Sequence, residues 1–386
     1  MEALELLDII EGGESSTVQF KERIDDNYKL GGEMVAFANS DGGLLIIGVN
    51  DKTGEINGLS FEERNETNSK LANIADNNVK PAIYIKTENV KIGEDWLVVA
   101  SIPEAVSKPV MDNKGITWLK NGSDKRRVTS PDELRRLFQS SGLLYADEQV
   151  VDGTTINDVD NEVLNVLLEK KTGLTIEKLD LPLKNQLQNL RFLEEDKLTL
   201  AGLLLASNKV QEYRPYYSVK AVAFEGNELS SSNFRDRPDA FTGNLIQLYE
   251  QSMSFLKRNL RRIQVEESFN SRPQLEISEK TLEELVVNAL IHRNYFIQTE
   301  IKIFIFDDRV EIISPGNLPN TLTIENIKAG TSIGRNPILY SNAPYLLPLV
   351  GVGTGIPRAY ANTPDLVLEN DKEREIFVAR INRPRL

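Results

Sequence analysis

The first 140 residues switch repeatedly between helical and extended periodicity. "MEALELLDIIEGGESSTVQFKERI" opens as a short amphipathic helix, breaks at Gly12 and Gly13, and continues as an extended segment in which Val18 and Phe20 alternate with polar neighbours. In "LGGEMVAFANSDGGLLIIGVND" the first part has a helical period, "NSDGG" is a turn, and "LLIIGV" reads as a buried strand ending at Asn50-Asp51. "PAIYIKTENV", "DWLVVASIP" and "ITWLK" alternate as strands do. "SPDELRRLFQSSG" carries the signature of a helix, with Ser130 as N-cap, Pro131 at the first position and Gly142 past the end. These elements predict one α+β domain over residues 1–142.

The pattern then changes. An acidic link leads into "DVDNEVLNVLLEKKTGL" and "LKNQLQNLRFLEEDKLTLAGLLLAS", a small helical unit ending in a hairpin-like turn, as winged-helix modules do. "YYSVKAVAFEG" follows as a strand and "AFTGNLIQLYEQSMSFLKRNL" as a long helix, so residues 143–265 read as a mostly helical connecting region. The remainder, 266–386, runs helix, strand, strand, glycine-rich turn, helix and strand. No internal repeat is evident.

Composition narrows the chemistry. The chain has no cysteine and one histidine, His292, which excludes disulfides, thiolate zinc sites and imidazole-rich metal clusters. Any metal must be held by oxygen, and magnesium is the expected ion. The formal charge is −13, so nucleic-acid contact would have to come from a local basic patch. The acidic start lacks the basic-then-apolar order of a secretory signal, and no apolar run reaches the length of a membrane span. A cytoplasmic protein without a membrane partner is expected.

Within "LEELVVNALIHRNY", Glu284, Asn288 and His292 recur every four residues, which places them on one stripe of an otherwise apolar helix. A polar stripe on a buried helix is costly unless something meets it. Magnesium with a triphosphate would do so: the Asn288 oxygen can ligate the ion, and the Glu284 carboxylate can orient a water. In "LVGVGTGIPRAY", Gly351, Gly353 and Gly355, with Thr354 between the last two, let backbone approach an anion ahead of a helix. Between these motifs, Gly316 closes a turn that can border a base, and Arg335 can reach phosphate oxygens.

"EELVVNALIHRNY", "FDDRVEIISPGNLP", "SIGRNP" and "GTGIPR" together resemble the GHKL-type ATPase-like C-terminal domain of bacterial transcriptional regulators and RecG-helicase-like proteins, over about residues 270 to 384. The resemblance implies an α/β sandwich that binds ATP and Mg2+. Glu284 would be the catalytic acid, Asn288 the magnesium ligand, Gly316 the border of the adenine, and Gly353 with Gly355 the phosphate loop. Where the family places an aspartate to read adenine, this chain has Ser314-Pro315-Gly316.

"GESSTVQFKERI", "EMVAFANSDGGLLIIGVND" and "WLKNGSDKRRVTSPDELRRLF" resemble the Schlafen-type AlbA domain over about residues 10 to 140. That resemblance implies nucleic-acid binding, DNA ahead of RNA; a homo-oligomer is a separate expectation. Lys21, Lys120, Lys125, Arg126 and Arg127 are the candidate phosphate contacts, while Trp118 and Phe138 are assigned to the core. Some Schlafen relatives cut RNA with three acidic residues around a metal. Glu14 and Asp51 match two of those positions and would be catalytic, but the third is Gln19. The leading expectation is a DNA-binding transcriptional regulator with an ATP-binding domain. A metal-dependent endoribonuclease and an oligomeric scaffold with degenerate sites are the alternatives.

Overall fold

A computed structural model of the chain describes residues 1–229, 233–264, 273–319, 322–349 and 353–384. The backbone divides into two units, Met1–Leu144 and Tyr145–Leu386.

The first unit contains α1 (Ala3–Gly12), β1 (Val18–Lys21), α2 (Asn27–Asn39), β2 (Gly43–Ile47), α3 (Phe61–Asn77), β3 (Lys86–Ile92), β4 (Asp95–Ile102), β5 (Trp118–Asn121), β6 (Asp124–Arg127) and α4 (Pro131–Ser140). Its main sheet has the order β1-β2-β4-β3, parallel between β1 and β2 and antiparallel elsewhere. Both faces are covered, which explains why "LLIIGV" is apolar without alternation. Leu45 and Ile47 point into a core shared with Met34, Phe37, Leu71 and Ile74 of α2 and α3. Ile46 points the other way, to Leu6 and Ile10 of α1. Asp26 starts α2 by accepting from the backbone N–H groups of Tyr28 and Lys29, satisfying two donors that the helix cannot.

Two expectations are corrected here. "PAIYI" stays outside the sheet, the strand beginning only at Lys86, and Tyr84 is exposed. Phe138 is also exposed, because α4 buries Leu137 instead. Trp118 is half-buried against the core, its indole N–H donating to Asp112 at 2.8 Å.

The second unit contains α5 (Asn161–Thr172), α6 (Leu183–Asn189), α7 (Leu200–Ala206), β7 (Val219–Phe224), β8 (Phe234–Asp236), α8 (Leu245–Asn259), α9 (Glu279–Ile291), β9 (Ile301–Ile305), β10 (Arg309–Pro315), α10 (Ile324–Lys328), α11 (Pro337–Asn342), α12 (Gly355–Asn362), β11 (Val367–Asp371) and β12 (Ile376–Asn382). A short hairpin pairs Leu193–Glu194 with Lys197–Leu198, at the turn after α6. The six-stranded sheet has the order β8-β7-β9-β10-β12-β11, with β7 parallel to β9 and every other pair antiparallel. One continuous apolar core runs from Ala146 through α5, α7, α8 and α9 to Ile381. The described part of residues 143–265 therefore supplies two strands, β7 and β8, and several helices to the same layers as the C-terminal segment. The two units bear out an α+β chain with an α/β layered C-terminal part.

Candidate functional site

Helix α9 is buried along most of its surface, with Leu282, Leu285, Val286, Val287, Leu290 and Ile291 in the core. Its polar stripe lines a cavity of about 120 Å³. Asn288 Nδ2 donates to the Glu284 carbonyl at 2.7 Å, one turn back on the same helix. The Glu284 side chain is buried. Its Oε1 accepts a hydrogen bond from the Arg358 guanidinium, and its Oε2 has no partner. Burial pushes the Glu284 carboxyl above the ordinary range, and Arg358 opposes that shift.

Glycine geometry brings α12 against this stripe. Gly353 has φ +74°, and a side chain there would collide with the Gly330 carbonyl. A Cβ at Gly355 would stand 2.5 Å from Glu284 Oε2. Gly316, at the end of β10, has φ +102° and no room for a Cβ beside Arg335 and Asn294. The positive φ at Gly316 and Gly353 favours glycine, and Gly355 leaves space for the Glu284 carboxylate. Elsewhere the cavity wall is apolar, with Ile312, Leu318, Ile327, Leu349 and Phe377 contributing.

The structure thus brings Glu284, Asn288, Gly316, Arg335, Gly353 and Gly355 together around one cavity. Thr354 is exposed and precedes α12, and Gly351 lies outside the described residues. Arg335 folds over Gly316 and donates to the Asn317 carbonyl at 2.5 Å. Its confinement lowers its pKa to about 10. His292 caps the C-terminus of α9 and faces Tyr340 at 5.8 Å between ring centroids. Burial and the neighbouring Arg335 hold its pKa at about 4, so the ring is neutral near pH 7.

Sequence reading missed Arg358. Its signal was available: a cation in the first turn of a helix faces the positive end of the macrodipole, an unfavourable place unless an anion is beside it.

In the first unit, Glu14 accepts from Gln19 Nε2 at 2.6 Å and from the Phe20 N–H at 2.8 Å. Asp51 accepts from Lys21 at 3.0 Å, and that hydrogen bond holds its carboxyl below the usual range. Gln19 is buried, and its Oε1 accepts from Lys120 Nζ at 2.9 Å. A neutral amide and an ammonium therefore stand where a metal-binding triad needs its third carboxylate. Among the described residues no group of three acidic or imidazole side chains is placed to hold a metal.

The structure also reassigns Lys120 from surface to interior. Its side chain is 2% exposed, donates to the Ser123 carbonyl at 2.6 Å, and lies 4.7 Å from the Phe37 ring centre. Burial lowers its pKa. Lys125 pairs with Glu33 at 2.6 Å, and Arg126 with Glu133. Arg127 is exposed and makes no ion pair among the described residues.

Residues 14–129 match the family described as "Schlafen, AlbA_2", and residues 298–375 match the family described as "Putative ATP-dependent DNA helicase recG C-terminal". The chain joins a Schlafen AlbA_2 domain to a recG-type C-terminal domain. The AlbA_2 match spans Glu14, Asp51 and the whole basic hairpin. The recG-type match spans Gly316 through Gly355 but not α9, so Glu284 and Asn288 join the site through the fold alone. No curated protein matches the chain. Several solved structures are similar to it, and two illustrate the likeness. One is the DIP2311 protein from Corynebacterium diphtheriae, at 19% identity over 99% of this chain and 80% of that one, with a TM-score of 0.49. The other is the N-terminal domain of a "Putative ATP-dependent DNA Helicase RecG-related Protein" from Nitrosomonas europaea, at 26% identity over 34% of this chain and 91% of that one, with a TM-score of 0.27. Among the described residues no helix is long and apolar enough to cross a membrane.

Proposed function

We propose that the recG-type domain binds a nucleoside triphosphate, ATP, in the cavity between α9 and the Gly353–Gly355 turn. The AlbA_2 domain would contact nucleic acid, DNA ahead of RNA, in a cytoplasmic transcriptional regulator. The observation that carries the first part is the buried, unpartnered Oε2 of Glu284, packed against Gly355 in the wall of a cavity that Asn288 and Gly353 also line. A buried carboxylate oxygen without a donor costs about 1–3 kcal/mol, and a hydrated ligand would remove that cost.

The apolar wall of Ile312, Leu318 and Phe377 suits a base, with Gly316 at its edge. The N-terminal amides of α12 suit phosphate oxygens. Magnesium fits on the same terms. One carboxylate and one amide oxygen are too few to hold it alone, but they suffice when phosphates complete the shell. Asn288 would hold the ion and Glu284 would orient a water. Magnesium, when bound, would neutralise phosphate charge.

The nucleic-acid part is supported by the AlbA_2 match and by exposed Arg127. Lys21, Lys125 and Arg126 are each shared with an acidic neighbour, Asp51, Glu33 and Glu133, which weakens their pull on phosphate.

Isothermal calorimetry with magnesium-ATP tests the cavity. The intact chain should bind, and Asn288→Ala should weaken binding at least tenfold, on the order of one lost charge-assisted contact. Absence of heat, with no rise in thermal stability at saturating nucleotide, would remove the reading.

A further inference from the structure

Arg358 and Glu284 form an ion pair in the wall of the cavity, and each partner keeps one buried atom without a hydrogen-bond partner. Arg358 lies in the first turn of α12, where the exposed amide ends disfavour a cation. Among the described residues its guanidinium is held by Glu284 alone. Its Nε is buried without an acceptor, and Glu284 Oε2 is buried without a donor. Both residues line the cavity, and the Arg358 side chain is 43% exposed, so its guanidinium has room to turn.

A polyphosphate brings what both atoms lack: oxygens that accept from Nε and, with its water, donors for Oε2. It also competes with Glu284 for one guanidinium. A ligand shifts such a pairing only as far as it binds one arrangement better than the other. The free site already satisfies half of Arg358, so part of the ligand's attraction is used in breaking the internal pair.

From this geometry we infer that Arg358 is a latch: it holds Glu284 in the free site and transfers to an incoming polyphosphate, releasing the carboxylate toward water. This rests on the nucleotide reading above and adds a regulatory contact within the same site. Arg358 is a positioning residue for Glu284 as well as a ligand contact.

A double-mutant cycle tests the latch, using wild type, Arg358→Met, Glu284→Gln and the double variant, each titrated by calorimetry with magnesium-ATP, pyrophosphate and adenosine. Glu284→Gln should bind ATP several-fold more tightly, because Arg358 is no longer held. Arg358→Met should bind it on the order of tenfold more weakly. The loss from Arg358→Met should be larger in the Glu284→Gln background, by about the factor that Glu284→Gln gains, since the latch cost is then absent. Adenosine, lacking phosphate, should bind all four alike. Simple repulsion between Glu284 and phosphate would instead give an additive cycle, which overturns the latch. So would an Arg358→Met variant that binds ATP as the wild type does.

The double variant leaves neither charge buried alone, and its thermal midpoint controls for folding. A wild-type chain that binds none of the three ligands overturns the nucleotide reading and the latch together. A wild-type chain that binds ATP with an additive cycle overturns the latch alone.

Discussion

Asp147 shows how one side chain ties distant segments together. It is fully buried, and its Oδ2 accepts the N–H groups of Ile338 at 2.7 Å and Leu339 at 2.9 Å, at the start of α11. Its Oδ1 has no partner. Burial raises its carboxyl to about 6, against the two backbone hydrogen bonds. The folded state therefore keeps a proton that the unfolded chain releases near pH 4. This contribution is complete below about pH 4 and is lost as the pH rises through 6. Asp147→Asn keeps an oxygen for the two amides and abolishes the titration. Denaturant unfolding should show the variant gaining on the wild type by roughly 2–3 kcal/mol between pH 4 and pH 7. A difference constant with pH would mean that Asp147 does not titrate in this range. His292 shifts the opposite way, to about 4, so its share is complete above its unfolded value near 6.5 and is lost as the pH falls toward 4. The comparison is therefore made against the Asp147→Asn variant, in which His292 is unchanged.

At the scale of elements, what the sequence revealed depended on whether the cause was local. The α9 stripe was readable because polar residues four apart on an apolar helix form one continuous face, which something polar must meet. Gly353 and Gly355 were readable from their spacing ahead of a helix, and the structure adds what each would strike: the Gly330 carbonyl and Glu284 Oε2. The place of β7 was not readable. It pairs parallel with β9 in the register Val219 opposite Ile301, and a pairing across so much intervening chain leaves no local periodicity. Lys120 read as surface because "KNGSDKRR" is a polar hairpin. Its burial follows from Gln19 and Glu33, which lie on β1 and α2. Phe138 read as core because aromatic residues usually are, but α4 turns Leu137 inward instead.

For the whole molecule, two domains with separate cores divide the proposed work between nucleic acid and nucleotide. A net charge of −13 and the internal pairing of Lys21, Lys125 and Arg126 predict weak, salt-sensitive contact by the AlbA_2 domain. Fluorescence anisotropy with labelled DNA should show binding that fades steeply between about 50 and 200 mM salt, as phosphate contacts do. No saturable binding at low salt would exclude that partner. The central claim concerns the recG-type domain, and a crystal structure of the intact chain with magnesium and a non-hydrolysable ATP analogue tests it most directly. The prediction is a base packed beside Gly316 and Phe377, with phosphates at the Gly353–Gly355 turn and the ion at Asn288. A nucleotide bound elsewhere, or an empty cavity at saturating analogue, would contradict it.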